Sequence, residues 1–116
     1  KKIPLHNNGT PTRMWLHSED TAYAVLKIID SKVYNEIYNI SGDTELSNMQ
    51  VVTKILKAYN PDIALEGHLD FTFSRAGQDV RYSIDDSKLR DLGWKPCKDF
   101  DTEIVRITKS PFEFLW

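Results

Sequence analysis

The sequence predicts a small α+β fold, and three observations carry that prediction. Short runs rich in β-branched and aromatic residues, EIYNIS at 36–41, FTF at 71–73 and YSID at 82–85, have strand composition. Between them lie stretches whose apolar residues recur at helical spacing behind capping residues. The five glycines are scattered singly, so no Gly-rich loop joins a strand to a helix in the dinucleotide or P-loop manner.

Residues 3–6 (IPLH) and 12–17 (TRMWLH) flank the polar NNGTP, a composition that predicts a hairpin. Period two along the second run puts Arg13 and Trp15 on one face. There a guanidinium and an indole line a pocket together, or the arginine stem simply covers the ring. Ser18 is the predicted N-cap of a first helix reaching about Asp30, with Glu19 and Asp20 in the turn where the helix dipole favours carboxylates. Ala22, Val25, Leu26 and Ile29 form its predicted buried stripe. EIYNIS follows as a strand stopped by Ser41, Gly42 and Asp43, and its apolar residues do not alternate, as in a strand covered on both faces. Few elements of this chain remain to cover it.

Ser47 to Gln50 has the S-x-x-Q form of a capping box, and Val51, Val52, Ile55, Leu56 and Tyr59 continue at helical spacing. Pro61 ends that helix near Asn60. Asn48 then falls in the first turn, beside backbone N–H groups of the kind that bind anions. Beyond FTF and a polar turn, YSID leads into a short helix capped by Asp85 or Asp86 and stopped at Gly93. A last helix, capped by Asp99 or Asp101, carries Ile104, Val105 and Ile107 and is broken or kinked at Pro111. The terminal FEFLW is apolar enough to call for a partner surface.

The chain of 116 residues, 41% hydrophobic and 28% charged, fits one domain spanning 1–116 with a modest core. A net charge of −2 supplies no global positive field, so neither nucleic acid nor an acidic membrane is an expected partner, and any anion must be held locally. No apolar run nears the roughly 20 residues of a membrane span. The single Cys97 excludes an internal disulfide or thiolate cluster and suits a reducing, cytoplasmic setting. His6, His17 and His68 lack metal-ligand spacing and read as surface or turn residues. The chain opens at Lys1-Lys2 directly into IPLH, which reads as a piece of something longer.

What remains is anion recognition by arginine. RAGQDVRY, Arg75 to Tyr82, packs two guanidinium groups, a glycine, an amide and a carboxylate into eight residues. Arg75 heads the turn, and the planar fork of arginine matches a phosphate bidentately. Gly77 lets the backbone approach a ligand closely. Asp79 and Arg81, two apart, are placed to pair with each other. Arg13, Asn48 and Arg75 each lie at an element end, and such ends can converge on one side of a small domain.

The order of TRMWLHSEDTAYAV, EIYNISGDTELSNMQVV, FTFSRAGQDVRYSIDDSKLRDLGWKP and DFDTEI resembles the C-terminal part of the nucleotide-sugar-modifying extended short-chain dehydrogenases. The likeness, strongest to the dTDP-glucose 4,6-dehydratases of the NAD-dependent epimerase/dehydratase family, runs over nearly the whole chain. It implies a substrate-binding segment of hairpin, short strands and about four helices, with the Rossmann domain preceding it and absent here. It also implies that Arg13, Asn48 and the turn headed by Arg75, with Gly77 and Gln78, line the nucleotide-sugar pocket. NAD would be bound outside this chain, in the N-terminal domain of a homodimeric enzyme. Its reaction would be oxidation at the sugar C4, loss of water across C5 and C6, and hydride return to C6.

Met14 replaces the family's acidic residue, and Ser74, Ala76 and Gln78 stand where its pattern favours aspartate, proline and histidine. The family's catalytic Tyr-x-x-x-Lys has only an accidental match in Tyr23 and Lys27, so the chain alone is expected to be inert. A UDP-glucuronate decarboxylase or a nucleotide-sugar epimerase of the same family, with dTDP or UDP as the nucleotide, stays open at this stage. So does a non-catalytic nucleotide-sugar-binding or interaction module.

Overall fold

Strand β2 (Thr12–Trp15) is the centre of a three-stranded sheet in the structure, a computed structural model that describes residues 1–110. Pro111 and FEFLW, with the break and the partner surface expected of them, lie outside the described residues. On one side β2 pairs antiparallel with β3 (Thr44–Ser47), Arg13 opposite Leu46. On the other it pairs in parallel with β5 (Arg81–Tyr82), Arg13 opposite Tyr82. A second, two-stranded sheet joins β1 (Ile3–Pro4) in parallel to β4 (Leu69–Asp70). The helices are α1 (Ser18–Asp30), α2 (Asn48–Tyr59), α3 (Ser87–Arg90) and α4 (Phe100–Lys109). The α+β class and the count of four helices agree with the sequence.

The expected hairpin does not form. Asn7, Asn8 and Gly9 all take positive φ, 51°, 58° and 67°, and wind a left-handed turn. Pro11 then offers no N–H to a ladder. The two flanking runs therefore part: Ile3 and Leu5 donate to the carbonyls of His68 and Asp70, while Thr12 donates to Val80. Gly9 is required here, because a Cβ would come within 3.0 Å of Met49. FTF and EIYNIS are coil rather than strands, and the strand β3 forms at TELS, beyond the expected stop at Asp43.

Helix α1 is capped by His17 rather than Ser18: the imidazole Nδ1 accepts from the Glu19 N–H at 3.0 Å. Its buried face is also not the predicted one. Asp20 and Ala24 are buried, whereas Val25, Leu26 and Ile29 are 45%, 57% and 62% exposed. The reason is local. Ala24 is small enough for Trp94 and Leu89 to pack on it, and these three form the core with Leu16, Ile28, Tyr38, Ile40 and Leu92 around them. Asp20 shares that face because the chain supplies its carboxylate with donors.

Two other capping expectations hold, whereas Asp86, at the N-cap of α3, makes no side-chain cap bond and Asp85 accepts from the Ser87 N–H instead. Ser47 and Gln50 form the reciprocal capping box of α2, and Asp99 caps α4 through the Thr102 N–H. Gly93 ends the α3 region with φ of +90°. The radius of gyration is 17.1 Å, against about 13 Å for a compact domain near this length. An apolar face on α1, the extended segment after it with Tyr34 76% and Ile37 84% exposed, and an open overall shape all belong together. No helix among the described residues is long and apolar enough to cross a membrane.

Candidate functional site

The turn that starts at Arg75 is held by one side chain. The Oδ1 of Asn7 accepts from the Arg75 N–H and from the Ser74 hydroxyl, each at 3.0 Å. Its Nδ2 donates to the Arg75 carbonyl at 3.1 Å and to Gln78 Oε1 at 3.0 Å. The backbone N–H of Asn7 adds a bond to Phe73 at 3.1 Å, and His6 stacks on the Phe73 ring with centroids 5.8 Å apart. Sequence reasoning missed Asn7, because NNG reads as a hairpin turn and its contacts lie some 70 positions away.

The far end of the turn is tied to β2. Arg13 Nη1 donates to its own strand's Thr12 carbonyl at 2.7 Å and to the Asp79 carbonyl at 3.0 Å. Arg81 does not pair with Asp79. It spans β2 to reach Glu45 on β3, its Nη2 2.9 Å from Oε2 in a two-pronged contact. The Arg81 guanidinium holds the Glu45 carboxyl below the usual carboxylate range, and Glu45 in turn raises Arg81. Arg81 therefore fixes the start of β5 by a different partner from the one expected.

Asn48 and Gln78, far apart in sequence, line one recess of about 230 Å3, together with Leu5, His6, Trp15 and Val51. The N-terminal backbone groups of α2 are largely satisfied: Asn48 donates to Pro11 and Gln50 to Ser47. What Asn48 offers is its half-buried side-chain amide, which makes no hydrogen bond to the described residues. The Arg75 guanidinium is likewise without a hydrogen bond or ion pair among them. Arg13 lies with Tyr82 and Ile84 along a separate recess, so Arg13 and Trp15 do not share a pocket wall, although the Asp79 contact joins Arg13 to the turn. Gly77 has φ of +72° and open space where a Cβ would go, so the turn requires glycine for its backbone conformation.

Polar groups elsewhere are spent on structure. A crevice of about 240 Å3 separates Trp15 and Leu16 from Phe100, Ile104 and Ile107 of α4. At its rim His17 Nε2 lies 3.2 Å from Glu103, and Lys98 pairs with Glu19. His17 is thus a largely buried cap, not the surface residue expected. Tyr23 and Lys27 lie one turn apart on α1, the ammonium 5.6 Å from the ring centroid. The described residues hold no group of three His, Cys, Asp or Glu side chains suited to a metal.

A dinucleotide pyrophosphate needs a glycine-lined helix start with free N–H groups. Among the longer helices of the described residues, α1 opens on Glu19 and Asp20, α2 is closed by its capping box and α4 by Asp99. None of these fits that group.

No family model matches the chain. It is 36% identical over 115 residues to dTDP-glucose 4,6-dehydratase of Escherichia coli, covering 91% of this chain and 32% of that enzyme. The dTDP-glucose 4,6-dehydratase of Streptomyces venezuelae, solved with NAD and TYD bound, superposes with a TM-score of 0.79 at 29% identity, over 93% of this chain and 33% of that one. The UDP-glucuronic acid 4-epimerase of Bacillus cereus, in complex with UDP-glucuronic acid and NAD, shares the fold with a TM-score of 0.78 at 20% identity, over 94% of this chain and 35% of that one. The chain spans about a third of the length of the relatives it matches. By sequence and by fold, this chain is similar to a C-terminal piece of the dTDP-glucose 4,6-dehydratases.

Proposed function

We propose that this chain is the nucleotide-sugar-binding region of an NAD-dependent 4,6-dehydratase, taking a dTDP- or UDP-sugar. The observation that carries the reading is a pair of polar groups without a partner among the described residues, both linked to Gln78: Arg75 through the Asn7 clamp and Asn48 through a shared recess. The Arg75 guanidinium stands on a turn whose backbone is fixed, and the Asn48 amide lines the recess that Gln78 shares. Arg75 supplies a fork for a phosphate, and Asn48 and Gln78 supply amides for sugar or base. Arg13, along its separate recess, spends one nitrogen on the turn and leaves the rest of its guanidinium for a phosphate.

NAD and the catalytic tyrosine and lysine lie, on this reading, outside the chain, and the chain alone is inactive. The exposed Val25, Leu26, Ile29 and Ile37 support a covering N-terminal domain. The homodimer and the cytoplasmic setting rest on the family likeness and the single cysteine.

In the full-length enzyme, Arg75→Ala and Arg13→Ala should each weaken nucleotide-sugar binding by about 1.5–3 kcal/mol while NAD binding stays nearly constant. Calorimetry showing unchanged dTDP and UDP affinity in both variants sinks the pocket assignment.

A further inference from the structure

We propose that Asn7 is a positioning residue, setting Arg75 and Gln78 for the nucleotide-sugar; the proposal rests on the reading above. A strand neighbour pairs with a residue by taking its N–H and giving to its carbonyl. The side-chain amide of Asn7 does both to Arg75, at 3.0 and 3.1 Å. The orientation of that amide is fixed by chemistry, because the Arg75 N–H must face an acceptor and the Arg75 carbonyl a donor.

The clamp takes hold of the backbone of Arg75 and leaves its guanidinium unengaged among the described residues. It also occupies Gln78 Oε1, so that the NH2 of Gln78 is the group presented to the recess it shares with Asn48. Asn7 can sit there because asparagine tolerates the left-handed backbone, here φ 51° and ψ 43°. The turn itself lacks a proline to stiffen it, since Ala76 occupies the position after Arg75. Two of the three residues that Asn7 grips, Ser74 and Gln78, are those at which the chain departs from the family pattern, so the clamp belongs to this chain's own turn.

Asn7→Gly keeps the left-handed backbone at no steric cost and removes only the amide. In the full-length enzyme it should speed hydrogen exchange of the Arg75 amide at least 10-fold and weaken dTDP or UDP binding about 3- to 10-fold, with the melting temperature little changed. In an Arg75→Ala background the same substitution should cost clearly less in affinity than in the parent, because only the part that passes through Gln78 remains. Asn7→Asp, which keeps the two acceptor contacts and loses the two donor contacts, should fall between.

Unchanged exchange at Arg75 in Asn7→Gly overturns the clamp. An equal loss of affinity with and without Arg75 overturns positioning. An Arg75→Ala variant that binds nucleotide as the parent does overturns the pocket reading instead, and fast exchange in Asn7→Gly then shows a clamp with no ligand to serve.

Discussion

The carboxylate of Asp20, 1% exposed, accepts from both the backbone N–H and the thiol of Cys97, each at 3.0 Å. Lys98 adds a third donor at 3.0 Å, and the Asp20 carbonyl takes the Trp94 indole N–H at 3.1 Å. One residue of α1 thus fastens the whole segment between α3 and α4. Asp20→Ala takes the acceptor from the Cys97 and Lys98 N–H groups and the Cys97 thiol and should lower stability by about 3 kcal/mol in urea unfolding. Asp20→Asn retains one acceptor oxygen and should cost roughly half as much. A loss within 0.5 kcal/mol for the alanine variant would show the segment to be held by Trp94 packing alone.

The same pair sets two limbs of a pH profile. Burial works to raise the Asp20 carboxyl, but the Cys97 and Lys98 donors together outweigh it and hold the group below the usual carboxylate range. Its folded-state pKa is lower than in the unfolded chain, so this contribution is present above the unfolded value and lost as pH falls through the folded one. For Cys97 the hydrogen bond to Asp20, then burial and the nearby carboxylate charge, push the thiol up. That contribution is present below the unfolded thiol pKa and lost as pH rises through the folded one. Cys97→Ser keeps a donor that does not titrate in this range. Chemical denaturation against pH should therefore show the alkaline loss reduced in Cys97→Ser and the acid loss retained; an unchanged alkaline limb refutes the assignment.

The turn around Gly77 separates two reasons for a glycine. Its φ of +72° is left-handed, and nothing lies within 4 Å of a built Cβ. Gly77→Ala should cost about 1 kcal/mol from backbone strain, and Gly77→Asn only part of that. If the residue serves the backbone alone, Gly77→Asn in the full-length enzyme leaves the proposed nucleotide-sugar binding unchanged. A 10-fold loss in the asparagine variant, with stability intact, would mean that a ligand approaches the main chain there.

Local signals were legible and relational ones were not. The Ser47 capping box, the Asp99 cap and the end of α2 follow from residues within one turn of each other, and the structure has all three. The NNG segment misled because hairpin statistics concern neighbours in sequence, whereas Asn7 finds its partners at Ser74, Arg75 and Gln78. Periodicity located α1 but chose the wrong face. Both of its faces are aliphatic, and only the donors at Cys97 and Lys98 and the bulk of Trp94 decide which one turns inward. At the site, residue type identified Arg13, Asn48, Arg75 and Gln78 as candidates. It gave no sign that Arg13 lines a different recess from Asn48, a matter of register within β2.

His17 tests how far a histidine serves as a cap. Its Nδ1 accepts from the Glu19 N–H at 3.0 Å, and Nε2 lies 3.2 Å from Glu103 of α4. His17→Ala should destabilise the chain by about 1 kcal/mol. His17→Asn restores the acceptor at the cap without the reach to α4, and should recover most of that loss. Equal losses in the two variants would assign the role to the Glu103 contact instead.

The outer face of α1 provides the test of a missing covering surface. Val25, Leu26 and Ile29 contribute little to the fold as it stands, being roughly half exposed, while Ala24 on the opposite face is fully buried. Leu26→Lys combined with Ile29→Glu should leave the stability of the 116-residue chain within about 0.5 kcal/mol of the parent and reduce its self-association, measured by sedimentation. Introduced into the full-length enzyme, the same pair should be destabilising by several degrees in melting temperature if the proposed domain covers this face, because two charges would then be desolvated. A full-length enzyme that tolerates both charges leaves this face in solvent, and the covering domain must then meet the chain elsewhere.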